Sequence, residues 1–262
     1  MLRADLAALL AGCLGAGTLG AQGAETGFLE RTLDHGGHRI RYQLYVPADY
    51  ASRTDWPVIL YLHGAGERGQ DGLRPTQAGL GAALRRAPQR YPALVVIPQV
   101  PLGAQWTGAQ AEQALAALDR TLSDYQVDRD RVYLTGLSMG GHGTWYLAYR
   151  HPERFAAAAP ICGWTQDLAS HGLTVPVVPA EDGPALPALA RRLAKLPLWI
   201  FHGDLDSVVP VQGSRAAAEA LKAVSADVRY TEYPGLDHNS WDVTYGSDAF
   251  VTWLFAQRRA KR

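Results

Sequence analysis

Only two cysteines, Cys13 and Cys162, occur in this chain of 262 residues. That is too few for a disulfide framework or a thiolate metal site, so packing must hold the core. Excess charge of either sign is also missing: Lys plus Arg and Asp plus Glu each total 25, for a formal net charge of zero. This excludes nucleic acid as a main partner, because binding phosphates needs a basic face. There is no internal repeat, and neither collagen-like, disordered nor coiled-coil composition. Beyond the first 21 residues no apolar run approaches membrane length, so the remainder is expected to be soluble. What is present is 47% apolar residues, at a length that suits one large α/β domain over residues 25–262.

Residues 6–21 form an uncharged Ala/Leu/Gly-rich run behind Met1, Leu2 and Arg3. The run is short and glycine-rich for a spanning helix and has the character of an export signal over residues 1–24. Two processing sites stay open. Leu10-Ala11-Gly12-Cys13 resembles the box at which a bacterial lipoprotein cysteine is acylated, and Ala21-Gln22-Gly23 offers small residues to a signal peptidase. Export is the expectation, with membrane contact only through lipidation of Cys13.

From about residue 28 strand-like and helix-like segments alternate. Residues 39–46 (RIRYQLYV) alternate polar with aromatic or β-branched side chains, as a half-buried strand does. Residues 57–62 and 93–98 are short continuous apolar runs, expected of strands covered on both faces. Further strands are predicted at 131–135, 156–161, 198–201 and 228–233, with helices at 109–125, 140–150, 211–224 and 248–258. Such alternation predicts a mostly parallel central sheet flanked by helices on both faces. Residues 67–76 read as a loop. Residues 162–187, with many Pro and Gly, read as an irregular cap or binding loop.

The most informative stretch is Gly136-Leu137-Ser138-Met139-Gly140-Gly141, a G-x-S-x-G between a predicted strand and a predicted helix. A turn this tight strains the serine backbone and leaves no room for side chains at the flanking positions, which Gly136 and Gly140 supply. The turn lifts the Ser138 hydroxyl to a helix N-terminus, where negative charge is favoured. A serine hydroxyl needs a base, and the base needs an orienting carboxylate. In such folds these follow in the order Ser, Asp or Glu, His. His238 lies just past the last predicted strand and is assigned as base. Asp206, in the Asp-rich turn after 198–201, is assigned as acid, with Asp204 as the alternative. Asp237 adjoins His238 and reads as structural or solvated. His202 reads as packing or hydrogen-bonding in the acid turn rather than as the base, and His142 as lining the cleft or satisfying backbone groups. An oxyanion needs two backbone N–H donors. Met139 supplies one, and Ala65, in the turn His63-Gly64-Ala65-Gly66-Glu67-Arg68-Gly69, the other. No G-K-[ST] follows these glycines, which removes a P-loop reading.

These residues resemble the α/β-hydrolase superfamily from about Phe28 to Arg258. The turn at 63–69, together with residues 136–145, is similar to a bacterial carboxylesterase branch. That branch is related to the phospholipase/carboxylesterase and dienelactone-hydrolase groups and is often labelled predicted peptidase. The resemblance implies Ser138, Asp206 and His238 as triad, Ala65 and Met139 as oxyanion donors, and ester hydrolysis through an acyl-enzyme without cofactor or metal. Feruloyl and acetylxylan esterases and polyhydroxyalkanoate depolymerases are similar in outline, so small or polysaccharide-linked esters are the expected substrates. Dienelactone hydrolases proper use cysteine where this elbow has Ser138, which favours ordinary carboxylic esters. The propeller of prolyl oligopeptidases is not expected in this chain. A non-catalytic binding module and a peptidase or amidase are the competing classes. Trp106, Trp164 and Trp241 fall in predicted loops at the edge of the site. There they either stack on an aromatic acyl group or sugar or close the core.

Overall fold

Along residues 58–62 successive side chains point to opposite faces of the strand. Val58, Leu60 and Leu62 enter one buried layer, and Ile59 and Tyr61 enter the other. A strand buried on both sides belongs at the centre of a sheet covered twice. The computed structural model of the protein, which describes residues 25–166 and 175–259, places it there.

The elements in chain order are β1 (Gly27–His35), β2 (His38–Val46), β3 (Trp56–Leu62), α1 (Gly79–Arg86), β4 (Leu94–Pro98), α2 (Gly108–Asp124), β5 (Val127–Leu137) and α3 (Met139–Arg150). There follow β6 (Ala157–Ile161), α4 (Ala185–Leu193), β7 (Leu198–Gly203), α5 (Gln212–Ala223), β8 (Val228–Tyr233), α6 (Trp241–Tyr245) and α7 (Asp248–Ala256). The strands form one sheet in the order β1-β2-β4-β3-β5-β6-β7-β8. β1 and β2 are antiparallel, as are β2 and β4, and the other pairs are parallel. Leu115 and Leu118 of α2, Trp145 and Leu147 of α3, Leu189 of α4 and Leu221 of α5 pack on one face. Leu80 and Leu84 of α1 and Phe250, Trp253 and Leu254 of α7 pack on the other. This is the mostly parallel α/β-hydrolase sheet expected from the sequence. Among the described residues no helix is long and apolar enough to cross a membrane.

Four elements were not expected from the sequence: β1, α1, α4 and the five-residue α6, which is too short to show helical periodicity. β1 is a half-exposed edge hairpin strand, with too little buried surface to leave an apolar signature. α1 opens with Gly79 at φ +52°, a poor helix former in a left-handed conformation. α4 carries Pro187 in its first turn, where no backbone N–H is required of it, so the expected irregular segment ends at Ala185. Residues 167–174 of that segment lie outside the described residues, as does the expected export signal. The part from Val177 to Asp182 is not a cap over Ser138. The Arg150 Nη1 donates to Val177 O at 2.9 Å, and the Tyr149 hydroxyl donates to Asp182. These bonds fasten it to the C-terminal end of α3, roughly 16 Å along that helix from Ser138.

Candidate active site

β5 runs straight into α3 through a single residue. Ser138 makes the turn at φ 53°, ψ −115°, a conformation costing an L-residue roughly 1–3 kcal/mol. The turn closes because the backbone behind it carries no side chains. A Cβ on Gly136 would stand 2.6 Å from Leu62 O, and one on Gly140 would overlap the same carbonyl. The hydroxyl is thereby presented at the start of α3, beside its unpaired first-turn N–H groups.

The loops after β7 and β8 bring two further side chains to it. His238 Nε2 lies 2.9 Å from Ser138 Oγ, and His238 Nδ1 lies 2.8 Å from Asp206 Oδ2. The two distances fix the pattern: Asp206 accepts from Nδ1–H, which leaves Nε2 bare to accept the serine proton. The Asp206 side chain is fully buried while that of His238 is 18% exposed. Burial alone would raise the Asp206 pKa. Hydrogen bonds from His202, His238 and the Val209 N–H outweigh it and hold the carboxyl well below the usual range. Asp206 Oδ1 accepts from the N–H groups of Val208 at 2.9 Å and Val209 at 2.8 Å.

Asp206, rather than Asp204, reaches His238. Asp204 turns away and accepts from the Gly235 N–H at 2.7 Å, tying the β7 turn to the β8 turn. Asp237 accepts from Ser207 and from the His238 N–H, a second tie between the same loops. His142 stacks on Trp164 with centroids 4.6 Å apart and planes 9° apart, and its Nδ1 lies 2.9 Å from Trp164 O. Cys162, at φ 40° and wholly buried, brings its sulfur within 4.8 Å of ligand atoms of Asp206 and His238. Burial pushes its thiol far above the ordinary range, so it packs against the site as a neutral group.

Ala65 and Met139 each begin a helical turn, so their N–H groups lie outside the hydrogen-bond ladders of their own turns. The loop bearing Ala65 is braced from below. His63 Nε2 accepts from the Val100 N–H at 3.1 Å, which puts the proton on Nδ1, 2.6 Å from Gly64 O. Burial lowers the His63 pKa to about 4, so the ring is neutral. Gln99 adds a bond from Nε2 to Glu67 O at 2.8 Å. Burial also raises the Glu67 carboxyl above its ordinary value, the nearby backbone N–H groups of Gly64 and Glu67 opposing it only in part.

The three tryptophans separate. Trp106 is 1% exposed, donates from Nε1 to His63 O at 2.9 Å and meets the His63 ring edge-on. It closes the core beneath the loop and has no face for a ligand. Trp164 is 4% exposed, with one face covered by His142. Trp241 is half-buried, and its ring meets that of His238 edge-on at 5.4 Å. The sequence assigned no role to the brace His63, and it placed His202 as packing or hydrogen-bonding in the acid turn, where its Nε2 lies 3.0 Å from Val209 O and from Asp206 Oδ2. Its place at the end of the strand that carries the acid was the available signal.

A family model described as "Putative esterase" matches residues 35–256. A solved thermostable esterase is 33% identical with a TM-score of 0.73, over 88% of this chain and 63% of that one. Feruloyl esterase B of Neurospora crassa is 29% identical, over 70% of this chain and 68% of its own length. An uncharacterized secreted protein of Arthroderma benhamiae is 28% identical over 70% of this chain, which spans only 21% of that protein. The family match covers most of the chain, and the eight-stranded sheet is that of its structural relatives. The chain belongs to this esterase family, on the α/β-hydrolase fold.

Proposed function

We propose that the chain is a serine carboxylesterase acting through an acyl-enzyme, with Ser138 as nucleophile, His238 as base and Asp206 as the orienting acid. The observation that carries this reading is the unbroken hydrogen-bonded line from Ser138 Oγ through His238 to Asp206. His238 Nε2 takes the hydroxyl proton as Oγ attacks the ester carbonyl, and Asp206 stabilises the imidazolium that forms. The negative charge developing on the carbonyl oxygen is received by the N–H groups of Met139 and Ala65. Each such donor is worth about 3 kcal/mol of barrier in comparable sites. Collapse breaks the bond to the alcohol oxygen, which leaves with the proton from His238. Water, deprotonated by the same imidazole, then releases the acid and restores Ser138.

Feruloyl esters are the substrate class to offer first, on the strength of the Neurospora crassa relative. The Trp241 ring, half-buried with its centroid 5.4 Å from that of His238, is the aromatic surface the reading assigns to such a group. The reading includes export, supported by the secreted Arthroderma benhamiae relative and by the apolar leader before residue 22.

Labelling with a fluorophosphonate, read by mass spectrometry, is expected to place one adduct on Ser138. Ser138→Ala is expected to lose the adduct and about 10⁶-fold in kcat. An unlabelled Ser138, or full esterase activity in that variant, overturns the assignment. Matched acetyl, butyryl and feruloyl esters and their amides separate an esterase from a peptidase.

A further inference from the structure

β7 ends in Phe201, His202 and Gly203, immediately before the turn that carries Asp206. The His202 side chain is wholly buried, so both ring nitrogens need partners. Nδ1 lies 2.8 Å from Ser214 Oγ on α5. Nε2 lies 3.0 Å from Asp206 Oδ2 and 3.0 Å from Val209 O. A carboxylate and a carbonyl both accept, so Nε2 must carry a proton, and the Ser214 hydroxyl, which can donate or accept, pairs with Nδ1. The one Nε2–H is shared between Val209 O and Asp206 Oδ2, so that Oδ2 has two imidazole nitrogens within 3.0 Å of it, Nδ1 of His238 and Nε2 of His202. Oδ1 is filled by two backbone N–H groups.

Two consequences follow. With every lone-pair direction occupied, the carboxylate cannot rotate away from His238. The second donor on Oδ2 also draws off part of the charge that would attract the His238 proton. We propose that His202 is a positioning residue of the hydrolytic site: through Ser214 it holds an N–H on Asp206 Oδ2 that both orients the acid and tempers its pull on His238. This rests on the catalytic reading given above. Other groups around the pair are Cys162 and Asp237 facing Asp206, and Glu232 facing His202. They are the same in every variant below.

The test compares His202→Leu and His202→Gln on a soluble ester across the acid limb of the pH–rate profile. Gln keeps an N–H near the position of Nε2, and Leu does not. In His202→Leu, kcat is expected to fall about tenfold with KM nearly unchanged, less than the ~10²-fold cost of a full ångström of misplacement. The acid limb is expected to move up by about one pH unit, because His238 beside an untempered carboxylate keeps its proton longer. Gln is expected to restore most of both. If the only loss were packing, Asp206 would loosen, His238 would lose its counter-charge and the limb would move down. A limb that moves down or stays put overturns the proposal.

Nitrogen chemical shifts of the wild-type ring give a second reading that needs no variant. They should show a proton on His202 Nε2, and an Nε2 without one overturns the proposal. Should Ser138→Ala keep full activity, the catalytic reading itself fails. Should Ser138→Ala be inactive while His202→Leu matches the wild type, only the role of His202 falls.

Discussion

Ser207 and Asp237 join the loops after β7 and β8: Asp237 Oδ1 accepts from the Ser207 N–H at 2.7 Å and its hydroxyl at 2.9 Å. The same oxygen accepts from the His238 N–H at 2.7 Å, so one exposed carboxylate sets the spacing between the Asp206 turn and His238. Asp237→Ala is expected to lower kcat about tenfold with little change in KM, through displacement of His238. Ser207→Ala keeps the backbone bond and should lose less. Steady-state kinetics beside thermal melts check this. A large drop in melting temperature in place of a kcat effect would show that the tie serves folding alone.

The strained conformation of Ser138 predicts a separation of activity from stability. Ser138→Ala keeps a Cβ at φ 53° and should unfold at nearly the wild-type urea concentration. Ser138→Gly relieves the strain and should gain about 1 kcal/mol after the entropy cost of glycine is subtracted. Both variants should be inactive.

Acid unfolding should show two separable windows. His63 titrates near 4 in the folded chain, against about 6.5 unfolded. Its folded value is depressed, so its stabilising contribution is complete above the unfolded value and declines as pH falls from about 6.5 toward 4, by on the order of 3 kcal/mol. Asp206 is also depressed, so its contribution is present above the ordinary carboxylate value and is lost below about pH 4. His63→Phe should flatten the first window and leave the second. Urea midpoints measured across this range decide it, and an unchanged slope in the variant would refute the assignment to His63.

Trp106 and Trp241 should respond differently to substitution. Trp106→Phe removes the bond to His63 O and should cost about 1–3 kcal/mol of stability without altering acyl preference. Trp241→Ala should leave stability nearly intact and change kcat/KM for feruloyl relative to acetyl esters. A reversed pattern would move substrate contact from Trp241 to Trp106.

The central strands were legible because burial on both faces requires a continuous apolar run, as in residues 57–62 and 93–98. The elbow was legible because its glycines answer to a local steric demand. β1 was not, since an edge strand packs little, nor were α1 and α4, whose Gly79 and Pro187 oppose helix by propensity and yield to tertiary packing. The choice between Asp204 and Asp206 was open for another reason: both follow the same strand, and only the direction of each side chain separates them.

Chain order alone carried the expectation of serine, then acid, then histidine, each after the carboxyl end of a strand, because local apolar periodicity places strands and turns. Which side chains meet was decided by the sheet order β5-β6-β7-β8, which brings residues 100 apart in sequence to 2.9 Å. The burial of Trp106, the meeting of His238 with Asp206 and the carboxylate tie through Asp237 all depend on contacts between distant segments. No local pattern encodes such contacts, because each partner is an ordinary residue until the fold sets another beside it.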